Sequence, residues 1–153
     1  MEFTHYELYD LLNRPGPLWL ARADLKNANL EGVNLFGAVL RGADLSSALL
    51  IGAELSEANL TAANLSQATL SWANLAGAQL QGANLRGVSL EGASLVSANL
   101  SEAILFEANL EGADLTGADF TDASLQNAKV TEAQLRQAVS LEGATLPDGT
   151  VYR

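Results

Sequence analysis

Two pairs of acidic residues have the clearest potential for chemistry in this sequence. Glu91 and Glu111 lie twenty residues apart, as do Glu102 and Asp122. Paired carboxylates can carry out acid–base catalysis or bind a cation. Catalysis also needs groups that converge in a concave pocket, and we expect both pairs on exposed, convex surface. The pairs therefore predict neither an active site nor a metal site.

Other residue types that catalysis or metal binding requires are scarce. The sequence has no cysteine, which excludes thiolate sites, and its lone histidine, His5, argues against a histidine-based metal centre. Serines such as Ser46, Ser66 and Ser71 have no histidine to activate them. The glycines follow a five-residue period instead of forming a phosphate-binding loop. We predict that the protein is not an enzyme and binds no cofactor.

The charge is strongly negative and unevenly distributed. Lys and Arg total 8 against 18 Asp and Glu, giving a net charge of −10. This charge repels nucleic acid and anionic membranes, so we predict neither as a direct partner. No basic residue falls between Arg86 and Lys129, where seven acidic residues form the acidic zone: Glu91, Glu102, Glu107, Glu111, Asp114, Asp119 and Asp122. The zone provides either solubility alone or a docking surface for a protein partner with a basic surface.

A few large apolar residues are expected on the outside of the molecule. Leu49, Ile51 and Trp72 fall at neighbouring outward positions and should touch one another, and we call them the apolar patch. Ile104 and Phe106 form a smaller pair. Since Trp is enriched at interaction hot spots, the apolar patch is a second candidate surface for a partner or for self-association.

Targeting signals are not evident in the sequence. No apolar run approaches the roughly 18 residues that a membrane span needs. The N-terminus lacks a basic region followed by an apolar stretch, so it does not predict a secretory signal. We expect a cytoplasmic protein.

A five-residue repeat runs through most of the chain. From residue 25 to residue 135 every fifth residue is Leu, except Phe120 and Val130, and the residue two before it is Ala, except Val33 and Val88. The residue between them is Asp or Asn in 12 of 23 units, so the unit is Ala-(Asp/Asn)-Leu-x-x. An unbroken short period of this kind indicates a repeat architecture.

The repeat suits neither an α-helix nor a flat strand. In a helix, successive Leu side chains would be rotated by about 140° and would scatter around the cylinder. In a strand, Ala and Leu face the same way, but the next Ala lies three residues on and would face outward. A chain that turns a corner once per unit keeps every Ala and Leu inside. The interior must then be narrow, which explains the small Ala.

Glycine marks many of the expected corners. Ten of the 13 glycines lie two residues after the repeat Leu, where a tight turn with positive φ suits Gly. Other units carry a different residue there, and for them we predict a second type of turn.

The pattern resembles the pentapeptide-repeat family, whose consensus is Ala-(Asp/Asn)-Leu-x-x, over about residues 23–137. The resemblance implies an all-β solenoid, a right-handed quadrilateral β-helix with four units per coil and about six coils. Residues twenty apart would then stack, placing Glu91 over Glu111 and Glu102 over Asp122. The interior would hold Leu columns such as Leu25, Leu45, Leu65, Leu85, Leu105 and Leu125.

The two ends depart from the repeat. We predict a capping segment at 1–17, the β-helix at 18–146 and a turn and tail at 147–153. Thr4 and Glu7 match a capping box for a short helix over Thr4–Asn13, seated on the first coil with Trp19 nearby. After Ala138 the spacing gains one residue. This indicates either a bulged last coil with a frayed tail or an exposed end that pairs with a second copy.

The resemblance also frames the function. Many members, abundant in cyanobacteria, have no assigned biochemical role, and we expect a non-catalytic interaction or scaffold protein, as a monomer or weak homodimer. The alternative is a DNA mimic that binds and modulates DNA gyrase, as some members do. Those members favour Phe at the central position, whereas this chain has only Phe120 there.

Overall fold

Each repeat unit pairs with the unit twenty residues further along the chain. The computed structural model describes residues 3–153, so Met1 and Glu2 of the predicted capping segment lie outside it. The outward residue between Ala and Leu forms a parallel bridge with its counterpart, from Trp19–Val39 to Asn109–Lys129. Within the described residues, each strand is one such bridge position rather than a longer segment. Since a unit has five residues, four units complete a turn and the coil has four faces.

The corners and faces are numbered here in chain order. Corner 1 comprises residues 21–22 and every twentieth pair after them to 121–122. Corner 2 starts at 26–27, corner 3 at 31–32 and corner 4 at 36–37. Face 1 lies between corners 1 and 2, face 2 between corners 2 and 3, and so on around the rod. Corners 1 and 3 are therefore diagonally opposite.

The interior consists of stacked Ala and Leu side chains. The predicted column from Leu25 to Leu125 is confirmed, since every member is at most 2% exposed. Phe120, the one aromatic at a central Leu position, is fully buried. Each buried Leu contributes roughly 1.5–3 kcal/mol before conformational entropy is subtracted. This continuous apolar column makes the coil stable without long strands.

The outward Asp and Asn residues hold the corners in place. Asn74 Oδ1, for example, accepts a hydrogen bond from the Ala76 N–H at 3.1 Å. Asp44 and Ser46 repeat the arrangement at 3.0 Å. Asx residues commonly bond to the turn backbone in this way, so the frequent Asp or Asn of the repeat unit has a structural role at the corner that follows it.

The prediction of a second turn type is wrong. The second corner residue has a positive φ whether or not it is Gly, with +57° at Asn27, +59° at Glu57 and +61° at Trp72, against +62° at Gly82. At every such corner the N–H of the next residue donates to the carbonyl of the preceding Leu, as Ala78 does to Leu75 at 3.0 Å. These are features of a type II turn. The twelve non-glycine corner residues include no β-branched residue, for which this φ is most strained.

Glycine has an additional role at several corners, because it makes room for the side chain one coil earlier. A Cβ at Gly77 would overlap the Glu57 carboxylate, and a Cβ at Gly87 would overlap the Gln67 amide. The side chain of a non-glycine corner thus leans along the rod over the following glycine. Positive φ alone does not explain why these positions are Gly.

The helix α1, His5–Leu12, covers the first coil. The predicted capping box is present, since the Thr4 hydroxyl accepts from the Glu7 N–H at 3.3 Å and the Thr4 N–H donates to Glu7 Oε2 at 2.9 Å. One side of α1, with Leu8 and Leu11, packs against the core together with Phe3. His5 and the outward side of α1 are exposed.

The last coil contains a short helix that the repeat did not predict. Leu135 continues the five-residue spacing, yet it lies in α2, Glu132–Leu135. The ladder then resumes one residue late, with bridges Asp119–Ser140 and Ser124–Thr145. The extra residue after Ala138 is thus confirmed as a shift in register.

The tail folds back on the last coil instead of fraying. Leu146 N–H donates to the Thr150 carbonyl at 2.7 Å, and Tyr152 N–H donates to the Ala144 carbonyl at 2.8 Å. Thr145 and Val151 form an antiparallel bridge. Antiparallel pairing occupies part of the edge that a parallel coil would leave open.

Candidate interaction surfaces

The members of the acidic zone do not share one face. Glu91 and Glu111 lie on corner 3, whereas Glu102 and Asp122 lie on the diagonally opposite corner 1. Glu107 lies on corner 2, beside corner 1. Within each pair the two residues are twenty positions apart, so they lie on successive coils with their backbones about 5 Å apart. The zone is a belt around the rod, so a flat partner can contact only part of it.

The aspartates of the acidic zone on the faces are engaged by their own turns. Asp114 Oδ1 accepts from the Thr116 N–H at 3.0 Å and from the Thr116 hydroxyl at 2.6 Å. Asp119 and Thr121 do the same. The Thr116 hydroxyl, followed by its N–H, lowers the pKa of Asp114 below its usual value. These two carboxylates define corner geometry and are less available to a partner than the glutamates.

Trp72 is the most prominent aromatic residue of the repeat surface after Trp19. Its side chain is 68% exposed although its backbone is fixed, with the N–H bonded to the Glu91 carbonyl at 2.8 Å. The six-membered ring lies over Gly92, where an added Cβ would overlap its carbons Cε3 and Cζ3. Corner 3 therefore presents an aromatic ring next to Glu91, with Glu111 one coil beyond.

The remaining residues of the apolar patch lie one coil before Trp72. Leu49 is on face 2 and 41% exposed, and Ile51 is on corner 3. The Trp72 ring leans toward the following coil, on the side away from both. Contact among Leu49, Ile51 and Trp72 therefore stays a prediction. The Trp72 ring lies instead over Gly92, next to Glu91.

In the smaller pair, Ile104 and Phe106, the aromatic ring contacts a cation. The Arg86 guanidinium carbon lies 4.7 Å from the centroid of the Phe106 ring, on corner 2. This cation–π contact occupies the Phe106 ring. Ile104 stays 46% exposed on face 1.

A concave apolar region at the C-terminal end was not anticipated from the sequence. The cavity has a volume of about 820 Å³, and its lining includes Val130, Leu135, Val139, Leu141, Leu146 and Tyr152. It forms because α2 and the shifted register pull the chain off the regular ladder. The extra residue after Ala138 was the available signal, but a spacing change does not specify a cavity.

Within residues 3–153, no group of three or more His, Cys, Asp or Glu side chains is placed to hold a metal ion. Neither helix of that range is long and apolar enough to cross a membrane.

Comparisons with known proteins agree with the architecture. The family profile described as pentapeptide repeats matches in 8 copies, over residues 20–52, 38–75, 53–92, 73–111, 83–122 and 103–139. A search of curated proteins gave no match.

Several solved structures are similar. HetL from the cyanobacterium Nostoc sp. strain PCC 7120, a pentapeptide-repeat protein involved in regulation of heterocyst differentiation, is 37% identical with a TM-score of 0.86. The match covers 90% of this chain but 63% of HetL, so this chain spans less than two thirds of that protein. Rfr23 from the cyanobacterium Cyanothece 51142 is 38% identical over 78% of this chain and 68% of its own, with a TM-score of 0.43.

A plasmid-mediated fluoroquinolone resistance protein, QnrB1, is 21% identical over 78% of this chain and 68% of its own, with a TM-score of 0.43. At that identity the likeness concerns the fold alone. Pentapeptide-repeat proteins form right-handed quadrilateral β-helices, in agreement with the four-sided coil described above. The repeat units, their twenty-residue pairing and the profile match together show that the chain belongs to the pentapeptide-repeat family.

Proposed function

We propose that this protein is a non-catalytic interaction module, a rigid rod of about six coils that binds a basic protein segment along corner 3. The observation that carries the proposal is the exposed Trp72 ring held over Gly92 beside Glu91. An aromatic face next to carboxylates suits Arg or Lys side chains, which can stack on the ring and pair with the acids.

Rigidity supports this role. The Trp72 and Gly92 N–H groups donate to the carbonyls of Glu91 and Glu111 at 2.8 and 2.9 Å, so the recognition residues sit on consecutive rungs of one ladder. A preorganised surface loses little conformational entropy on binding.

The similarity to HetL is consistent with a regulatory binding role rather than metabolism, since HetL is involved in regulation of differentiation. Binding to DNA gyrase is the alternative. Net negative charge is the one property that favours it, and the weak likeness to QnrB1 adds nothing specific.

The proposal can be tested with defined peptides and Trp fluorescence. In a Trp19→Phe background Trp72 becomes the only indole, and an array of Arg- and Lys-rich peptides of about ten residues is titrated into it. We expect binding peptides to shift or quench the Trp72 emission. The double variant Glu91→Gln, Glu111→Gln should weaken binding at least tenfold, because it removes both carboxylates beside the ring.

The matched control is Glu102→Gln, Glu107→Gln, which changes the net charge equally on corners 1 and 2. It should leave the affinity nearly unchanged. Equal losses in both double variants would reduce the effect to overall charge and overturn corner 3 as the site. Absence of binding across the array would overturn the choice of a basic segment.

A further inference from the structure

Corner 1 carries charges of opposite sign at its two ends. Arg22 and Arg41 lie toward α1, whereas Glu102 and Asp122 lie toward the C-terminus. All four side chains are exposed. The salt bridges found within residues 3–153 are Arg14–Asp10 and Arg136–Glu132, so these four charges have no ionic partner in the described part of the chain.

The charges are also symmetric about a common midpoint. The second residues of corner 1 form a column: Arg22, Gly42, Ala62, Gly82, Glu102 and Asp122. Arg22 begins this column and Asp122 ends its regular part, because Glu142 and Gly143 stack on Asp122 one residue out of register. The midpoint between Arg22 and Asp122 falls between Ala62 and Gly82. Arg41 lies beside Gly42, at the same distance from the midpoint as Glu102. One two-fold axis through the midpoint therefore relates both opposite-charge pairs.

The surface at this midpoint is small and polar. Ala62 and Gly82 add little bulk to the corner, and an added Cβ at Gly82 would meet nothing within 4 Å. On the adjoining face 1 the central residues are Asn64 and Asn84, each of which bonds its own turn through Oδ1. Nothing here obstructs the approach of a second flat face.

We propose that face 1 and corner 1 form a self-complementary surface through which two copies of this protein associate side by side and antiparallel. The two-fold axis lies across the rod at the level between Ala62 and Gly82. Arg22 then faces Asp122 of the second copy, and Arg41 faces its Glu102. Because the contact is isologous, each pair occurs twice.

A parallel arrangement is disfavoured by the same charges. A two-fold axis along the rod would bring corner 1 of one copy against corner 2 of the other at equal height. Arg22 would face Lys26, and Glu102 would face Glu107. Like charges in contact repel, so the charge pattern selects the antiparallel arrangement.

The rest of face 1 opposes no like charges in the antiparallel arrangement. On corner 2, Lys26 faces the level of Gln126, and Glu107 faces Ser47. On the face itself, Asn64 faces Asn84, and Asp24 faces Ser124. Asp44 would face Ile104, but its carboxylate already accepts hydrogen bonds from the Ser46 N–H at 3.0 Å and the Asn64 amide at 3.3 Å.

Size and charge set the expected strength. One face of a rod about 28 Å long gives a contact at the small end of specific interfaces, below about 1,200 Å² in total. The net charge of −10 per copy opposes association at long range, while at physiological ionic strength screening over about 8 Å leaves the contact pairs effective. We expect a dissociation constant on the order of 10⁻⁴ M. At about 1 M salt the charge pairs are screened, so the dissociation constant should be larger.

A charge-swap experiment tests the proposal. Variant N carries Arg22→Glu and Arg41→Glu, and variant C carries Glu102→Arg and Asp122→Arg. Backbone strain is no obstacle, since Glu57 and Arg22 already occupy the same positive φ in this chain. By sedimentation equilibrium up to about 1 mM, the wild type should dimerise, and N or C alone should be monomeric. An equimolar mixture of N and C should form a heterodimer, because all four contact pairs become opposite in charge.

The matched control replaces variant C by Glu91→Arg, Glu111→Arg, which has the same net charge with the reversal on corner 3. Because its corner 1 is intact, this variant should dimerise with itself as the wild type does, but fluorescently labelled variant N should stay monomeric in its presence. Association of labelled N with that control, dimerisation of N or C alone, or a monomeric wild type at about 1 mM would each overturn the proposal. Corner 3 is diagonally opposite, so replacing Trp72 by Ala should leave the dimer intact, and failure of the peptide-binding proposal leaves this test unaffected.

Discussion

From Leu20 to Leu110 backbone amides pair with backbone carbonyls one coil away, whereas beyond Leu110 side chains of residues 130–137 take over part of that pairing. In the regular region Leu60 N–H donates to the Gln79 carbonyl at 2.7 Å, and the same bond recurs at unit after unit. Near the end, Leu115 N–H donates instead to Gln137 Oε1 at 3.1 Å. The Gln134 amide donates to the carbonyls of Leu110 and Ala113 at 2.7 and 3.0 Å.

The difference shows two ways of satisfying a strand edge. In the regular region the next coil supplies the backbone partners, so this pairing does not depend on the outward side chains. At the end the Gln134 amide donates to the Ala113 carbonyl in place of a backbone amide, and it adds a second donor to the Leu110 carbonyl, which already accepts from the Ala113 N–H. Substitutions in the regular region should therefore matter most when they change the interior volume, whereas at the C-terminal end they should matter most when they remove a specific hydrogen bond.

The largest effect is expected for overpacking in the regular region. Ala78 is fully buried, and Ala78→Leu adds three carbon atoms to a narrow interior. We expect a loss of about 3 kcal/mol in the free energy of unfolding, measured by urea denaturation. Ala76→Leu, at the half-buried first position of the corner just before Ala78, should change it by less than about 0.5 kcal/mol. Equal stability of Ala78→Leu and wild type would contradict an Ala-lined interior.

An intermediate effect is expected for the end. Gln134→Ala removes the donors for the carbonyls of Leu110 and Ala113, and also the acceptor for the Thr131 N–H in the α2 capping box. We expect a loss of about 2 kcal/mol. Gln134→Glu keeps that acceptor but still lacks the amide donors, so it should remain destabilised. If Gln134→Glu matched wild type at neutral pH, the side-chain pairing would be unimportant. Gln126→Ala, an exposed control, should have little effect.

The smallest effect is expected for the pH dependence of the regular region. The Ser56 hydroxyl, followed by the Ser56 N–H and the Asn74 amide, lowers the pKa of Glu54 below 4.5. The unfolded chain thus binds a proton more readily than the folded one. The resulting stabilisation is present above about pH 4.5 and is lost as the pH falls through the lowered folded pKa.

Ser56→Ala should raise the Glu54 pKa in an NMR titration and flatten the acid limb of a stability–pH curve. Ser66→Ala removes the corresponding hydroxyl of another turn, in which the Ser66 N–H donates to Asn64 Oδ1, and should leave the Glu54 titration unchanged. A Glu54 pKa insensitive to Ser56→Ala would show that the Ser56 hydroxyl does not set it.

The Ala and Leu columns could be predicted from the sequence because a flat strand would turn the next Ala outward in every unit. Only a corner once per unit keeps all of them inside. The capping box at Thr4 could be predicted because its two partners are three residues apart and local. The turn type at non-glycine corners was mispredicted, because the ladder forces every corner into one backbone conformation regardless of residue preference. The strain at residues such as Glu57 and Trp72 is offset by pairing on both sides.

The candidate surfaces depended more on the fold. The sequence places seven acidic residues in one stretch of the chain. The four-sided coil spreads them around the rod, so that Glu91 and Glu102 lie on diagonally opposite corners. The cavity at the C-terminal end depended on where α2 leaves the ladder. Neither arrangement is visible in a linear count, because charge proximity across a coil depends on the twenty-residue register.

The five-residue unit, the inward Ala and Leu, the turn-bonding Asp and Asn and the N-terminal cap can all be read from the amino-acid order, since they follow from side-chain volume and local hydrogen bonding. The common corner conformation, the lean of Trp72 over Gly92, the geometry of the register shift and the folded-back tail become visible only in the folded molecule. These depend on contacts between residues twenty or more apart or on the return of the tail, and they form only when one coil lies on the next.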